Sequence, residues 1–211
     1  MKTNLLHRSS ALLLTLIWAG SLCAADGYVQ YKARPGSTVK IAGSSNIHDW
    51  EVQTGLIGGT FDIDAKVSLD PAKPPPAGKV DAKASTFMMV SSIKSGKQAM
   101  DNIMYDTMKK DTNPKISYEL QELVFKKSVP DEGQLIFDAT GALTVSGVIV
   151  TNKMEVMMMP QPDDKLLIKG SAALKMTDFG MKPPAPALGL GLIKTDDEVK
   201  VSFEWVTAKT H

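Results

Sequence analysis

Thr60-Phe-Asp-Ile-Asp-Ala-Lys-Val-Ser-Leu-Asp70 alternates without a break. Phe61, Ile63, Ala65, Val67 and Leu69 are apolar, and every residue between them is polar. Side chains alternate across a strand, so this pattern describes an antiparallel strand with one dry face and one wet face. The same pattern returns near the end of the chain, where Val199, Val201, Phe203 and Trp205 alternate with Glu198, Lys200, Ser202 and Glu204. Working outward, Val39 and Ile41 begin another strand, and Val80 to Val90 forms a further one. Ile116, Tyr118 and Leu120 share a phase that slips before Leu123 and Phe125, which places a bulge near Gln121 and Glu122. Leu135 to Met159 is too long for one strand, and Ser146-Gly147 divides it into a hairpin. A third meander strand, Leu166 to Met176, follows the Pro160–Asp164 turn.

One stretch has a different period. In Ser95 to Lys110, Met100, Ile103, Met104 and Met108 recur at helical spacing, giving an amphipathic helix of about four turns. Lys109 and Lys110 suit its carboxyl end, and Asn113-Pro114 forbids continuation. Proline-rich loops fall at Pro71 to Gly78, Val129 to Gly133 and Pro183 to Gly191. No repeat or shift of composition divides the chain. About eight antiparallel strands with one helix form a single sheet curled on itself, a barrel or sandwich. Closure hides strand edges and leaves room inside for packed side chains or one small ligand.

The amino end reads as an export signal over residues 1–25, leaving a single domain over 26–211. Lys2 and Arg8 charge the start, Ala11 to Ala19 is a short apolar run, and Cys23-Ala24-Ala25 precedes a cut before Asp26. The apolar run is half the length of a membrane span. Lipidation at Cys23 is the rival reading, and bulky Leu22 fits such a site badly. Cleavage leaves 186 residues with 22 basic and 23 acidic groups and no cysteine. A thiol-free chain suits an oxidising compartment, because it cannot mispair there. The near balance of charge gives no basic excess of the kind that marks nucleic-acid binders.

The ordered set Gly43 to Trp50 (GSSNIHDW), Gly59 to Asp62 (GTFD), Ser95-Gly96, Met100-Asp101 and Asn113-Pro114-Lys115-Ile116 resembles the YceI-like family. Gly141 to Val148 and Asp178 to Pro183 resemble its carboxyl half, so the likeness spans roughly residues 37–207. The resemblance implies an all-β, mainly antiparallel fold: an extended eight-stranded, lipocalin-like β-barrel with one amphipathic helix. It also implies an apolar cavity that takes a polyisoprenoid or quinone-like lipid tail. The chain departs from many relatives at the helix, where Ala99 to Met108 replaces an Arg-Asp…His-Leu-Arg stretch.

Chemistry-bearing groups are sparse. His48 is the single structured histidine candidate, and Ser44, Ser45 and Asp49 are its near neighbours. Three neighbours on one chain rarely converge on a reacting atom, and no nucleophile elbow, P-loop or dinucleotide fingerprint is present. Asp178-Phe179-Gly180 lacks the partners of the kinase magnesium motif and reads as a turn. Met157, Met158 and Met159 invite a copper(I) reading, but a strand sends Met158 to the face opposite the other two. No catalytic residue, metal or cofactor is expected.

The eleven methionines beyond the initiator lie between residues 88 and 181. Methionine fills irregular gaps and recurs at promiscuous apolar surfaces. The candidate lining is Phe61, Ile63, Met88, Met100, Met104, Ile116, Tyr118, Leu143, Val145, Met154, Val156, Met158, Met176, Phe203 and Trp205. The expectation is a periplasmic, non-enzymatic carrier of a long apolar lipid, with transient membrane contact and a homodimer left open. The alternatives are a ligand-free structural or stress-related envelope protein, whose methionines merely fill the barrel, and a methionine-rich copper binder.

Overall fold

The structure, a computed structural model, describes residues 27–185 and 193–210. The proposed signal and its cut before Asp26 lie outside the described residues, as does most of the Pro183–Gly191 loop.

Among the described residues, eleven strands form one antiparallel sheet: β1 (Tyr28–Ala33), β2 (Thr38–Ser45), β3 (Asp49–Thr54), β4 (Gly58–Asp64), β5 (Gly78–Val80), β6 (Ala82–Met89), β7 (Lys115–Val129), β8 (Gln134–Val145), β9 (Val148–Gln161), β10 (Lys165–Lys175) and β11 (Thr195–Lys209). The eleven reduce to eight staves, because three staves are each interrupted once. β11 pairs with β1 through Thr207–Lys209 and with β2 through Thr195–Glu204, along one edge. The gap between β1 and β2 is bridged: Arg34 N donates to Val206 O (2.8 Å), and Val206 N donates to Ser37 Oγ (3.0 Å). β4 pairs with β1 and β3 with β2, so these two also follow one line. β5 and β6 both pair with β7. The circuit then runs β7-β8-β9-β10-β11 and closes on β1.

The meander follows the local chemistry. Ser146 and Gly147 (φ 50° and 80°) join Val145 directly to Val148, the doubly left-handed turn that matches strand twist. Asp163 and Asp164 (φ 60° and 53°) turn β9 into β10. The register of β7 on β8 slips between Leu120 and Glu122, the expected bulge, and again between Phe125 and Lys127.

Two expectations need correction. The strand read over residues 60–70 ends at Asp64, and Ala65 is exposed. Asp64 Oδ1 accepts from Lys66 N (2.9 Å), and Asp64 O accepts from Val67 N (2.9 Å), so the carboxylate and carbonyl of one residue build a turn. Val67 and Leu69 still pack on the lower core, but from the β4–β5 loop, which the Ser128 hydroxyl ties down through Pro71 O (2.6 Å). The strand read over 80–90 is broken at Asp81.

The core has two parts. Phe61, Ile63, Leu123, Leu135, Phe137, Leu166 and Trp205 belong to the lower one. Ile41, Val52, Val90, Ile93, Tyr105, Phe179 and Val199 belong to the upper, beside α1 (Gln98–Thr107).

Candidate functional site: a two-chambered apolar lumen

Inward side chains of the staves leave two chambers, an upper one of about 380 Å³ and a lower one of about 150 Å³. Met88, Ile116, Leu143, Leu174 and Val201 border both, so the chambers share a waist. Of the residues singled out from sequence, Met100, Met104, Val145 and Met176 line the upper chamber. Phe61, Tyr118, Met154, Val156, Met158, Phe203 and Trp205 line the lower, and Met88, Ile116 and Leu143 line both. Ile63 lines neither; it is buried in the lower core, because its level on β4 lies beyond the open space.

The lumen stays open because large rings lie flat on its wall. Gly43 faces Trp50 across β2–β3, and Gly170 faces Phe203 across β10–β11. Tyr118 on β7 lies across Gly141 on β8. A Cβ at 43, 141 or 170 would come within 2.3, 2.4 or 2.7 Å of the respective ring. Each glycine thus provides the recess into which an aromatic folds back, a cross-strand device seen where sheets need glycine. Bulk that would otherwise fill the barrel is stored against its side.

α1 covers one side of the upper chamber with Met100, Ile103, Met104 and Thr107, and Met108 just after it adds to this side. It is shorter than the four turns expected, because Lys109 takes φ 53° and ends it. Its most buried residues are Asp101 and Tyr105, one turn apart, rather than the methionines. Asp101 Oδ1 accepts from Ser95 N and Ser95 Oγ, both at 2.7 Å. Lys94 Nζ donates to Tyr105 Oη (2.6 Å), and the Tyr105 hydroxyl reaches the carbonyls of Ile93 (2.9 Å) and Ser91 (3.0 Å). Burial works to raise the Asp101 carboxyl, but the Ser95 hydrogen bonds and the nearby Lys94 ammonium outweigh it and hold it below the ordinary value. A polar clamp therefore fixes the helix to the wall, while its half-buried methionines are left to border the lumen.

The rim of the upper chamber is basic. Its charged lining residues are Lys97 and Lys175, with His48 between β2 and β3 and exposed Ile47 beside it. No Asp or Glu lines this chamber among the described residues. The imagined Ser-His-Asp arrangement is not assembled. Ser45 Oγ donates to the His48 carbonyl (2.8 Å), Ser44 Oγ donates to the Asp49 carboxylate, and the His48 Nδ1 lies 2.9 Å from Asp49 O. The three consecutive methionines do not share a face: Met158 lines the lower chamber, while Met157 and Met159 point to the other face.

Sequence reading missed several lining residues. Ile41, Leu174, Val199 and Val201 are in phase with strands already recognised and follow from simple extension of the alternation, whereas Val52 lies on β3, a strand the sequence reading did not identify. Trp50, Phe179 and Met181 had no periodic signal, since a loop, a cross-strand recess and a short helical turn place them.

The YceI-like domain matches residues 36–207, nearly all of the described barrel. The chain belongs to the YceI-like family. Solved structures share the fold at low identity. BcnA of Burkholderia cenocepacia is 19% identical, with TM-score 0.58 over 81% of this chain and 95% of that one. A polyisoprenoid binding domain from Saccharophagus degradans is 12% identical, with TM-score 0.63 over 85% of this chain and 98% of that one. The Campylobacter jejuni YceI protein is 17% identical, with TM-score 0.53 over 76% and 84%. No curated protein matches.

Proposed function

We propose that this YceI-like protein is a periplasmic, non-enzymatic carrier that sequesters a long apolar lipid, polyisoprenoid or quinone-like, inside its barrel. The observation that carries the reading is the pair of adjoining methionine-rich chambers, bordered by rings folded onto glycines. A core meant only for stability packs to crystal-like density and leaves few voids larger than a water molecule. Here the walls recede around a space in the size range of ligand pockets.

The mechanism is burial. Each methylene withdrawn from water contributes about 0.8 kcal/mol, so a few isoprene units are held without a strong polar anchor. Methionines lining both chambers adapt to a chain with many conformers. Exposed Ile47 with Lys97 and Lys175 at the rim suits brief contact with an anionic membrane surface during loading. The Lys2-to-Ala25 pattern supports export, and no resident cofactor is needed for this role.

The experiment is transfer. Delipidated protein is incubated with vesicles carrying a labelled polyprenol, then separated by size. The reading expects label to leave the vesicles and co-elute with monomer-sized protein at about one equivalent. Label that stays wholly with the vesicles would contradict it.

A further inference from the structure

The lower chamber, whose lining also includes the polar Thr86, Ser117 and Asn152, holds a chemical oddity. Trp205 is 4% exposed and lines this chamber, and its Nε1–H has no hydrogen-bond partner among the described residues. The Tyr118 Oη, lining the same chamber, is also buried without a partner. β7 and β11 stand four staves apart in a circuit of eight, so the two donors come from facing walls. Leaving a buried polar group unpaired is costly, and native interiors rarely do so.

We propose that the lower chamber is a polar subsite, in which Tyr118 and Trp205 donate hydrogen bonds to a neutral carbonyl-type oxygen of the bound lipid. This rests on the lipid reading above and narrows it: the ligand is an oxygen-bearing lipid whose carbonyl-type group sits deep, below the waist, not at the rim. The donor chemistry decides the class. An indole N–H donates and cannot accept, so its partner is an oxygen lone pair. Burial pushes the Tyr118 hydroxyl up to about 12, so it keeps its proton throughout the physiological range. Neutral donors without a cation match a neutral acceptor; among the described residues no Lys, Arg or His lines this chamber to offset an anion. A volume of about 150 Å³ takes a ring or a short segment, while the remaining chain occupies the upper chamber.

The test compares two probes of equal chain length, farnesylacetone and the corresponding hydrocarbon without the oxygen, by displacement of an apolar dye from delipidated protein. The wild type should prefer the ketone by about ten-fold, the scale of one or two net hydrogen bonds. Tyr118→Phe should cut that preference several-fold, read as the ratio of the two affinities so that any change common to both probes cancels. The Trp205 indole N–H resonance should shift with ketone and not with hydrocarbon, a readout that needs no variant. Equal affinity for both probes, with an unmoved indole resonance, would overturn the subsite while leaving the lipid carrier intact. Binding of neither probe would overturn the carrier reading itself. A Tyr118→Phe protein that melts lower yet keeps the full ketone preference would show the hydroxyl holding an internal water, and would also overturn the assignment of Tyr118.

Discussion

Gly43→Ala adds one methyl group to a strand and tests whether the recessed aromatics hold the lumen open. The new Cβ would sit 2.3 Å from Trp50 Cζ2, 2.7 Å from Cε2 and 2.9 Å from Cη2. Carbon atoms attract best at about 3.5–4.0 Å, so the ring must retreat by about 1.2 Å or more. The three nearest atoms all belong to the ring, so the side chain can yield while the strand stays. Moving the ring strains its rotamer by about 1 kcal/mol and threatens the Trp50 Nε1–H donation to Ser44 O at 3.2 Å, worth about 1 kcal/mol. Replacing glycine within a strand returns about 0.5–1 kcal/mol of chain entropy. The net cost is about 1 kcal/mol, or about 2–4 °C in Tm for a chain of this size. The functional effect should be larger, because the ring moves into the mouth of the upper chamber. Stopped-flow loading of a labelled prenyl lipid should slow several-fold, and Trp50 emission should change. Gly43→Ala with Trp50→Ala should restore loading. A folded Gly43→Ala protein with unchanged emission and loading, or a double variant that stays slow, would refute the reasoning.

Other substitutions separate lumen from frame. Val156→Trp fills the lower chamber from a buried strand position; it should abolish lipid retention in co-purification while circular dichroism stays native, at a cost of about 1–3 kcal/mol. Met158→Asp places an unpaired carboxylate in the lower chamber and should lower both denaturation midpoint and lipid retention. The Asp101 carboxylate is held below its ordinary value, so its stabilisation of α1 is full above about pH 4 and is lost as pH falls through the depressed value. Thermal melts from pH 7 to 2.5 should therefore show an acid loss in the wild type that is smaller in Asp101→Asn. Intact mass of protein from the envelope fraction should begin within a residue or two of Asp26; a full-length chain, or a diacylglyceryl group on Cys23, would contradict export by this signal.

Local rules carried much of the barrel. The Ser146-Gly147 hairpin, the slip near Gln121 and the inward phase of Val199 to Trp205 are nearest-neighbour effects, and each stands as expected. The breaks within three staves were not legible. Arg34–Ser37 interrupts one stave because backbone and hydroxyl bonds to Val206, far along the chain, bridge the gap. Thr60–Asp70 misled for a related reason: the alternation continues past Asp64, but the turn bonds of that residue override it. On α1 the methionine stripe correctly marked a lumen-facing side, yet the firmest anchors are the Asp101 carboxylate and the Tyr105 hydroxyl, because Ser95, Lys94 and two carbonyls satisfy them. Apolarity alone cannot show such a clamp. The recessed rings were illegible as well, since Gly141 and Tyr118 meet only across two strands.

The central claim is that a lipid occupies the barrel, and native mass spectrometry of protein purified from cells without detergent tests it most directly. The account predicts one organic adduct, released by solvent extraction, on the wild type and none on folded Val156→Trp. A bare wild-type mass, a copper adduct, or an organic adduct retained by the filled variant would contradict it.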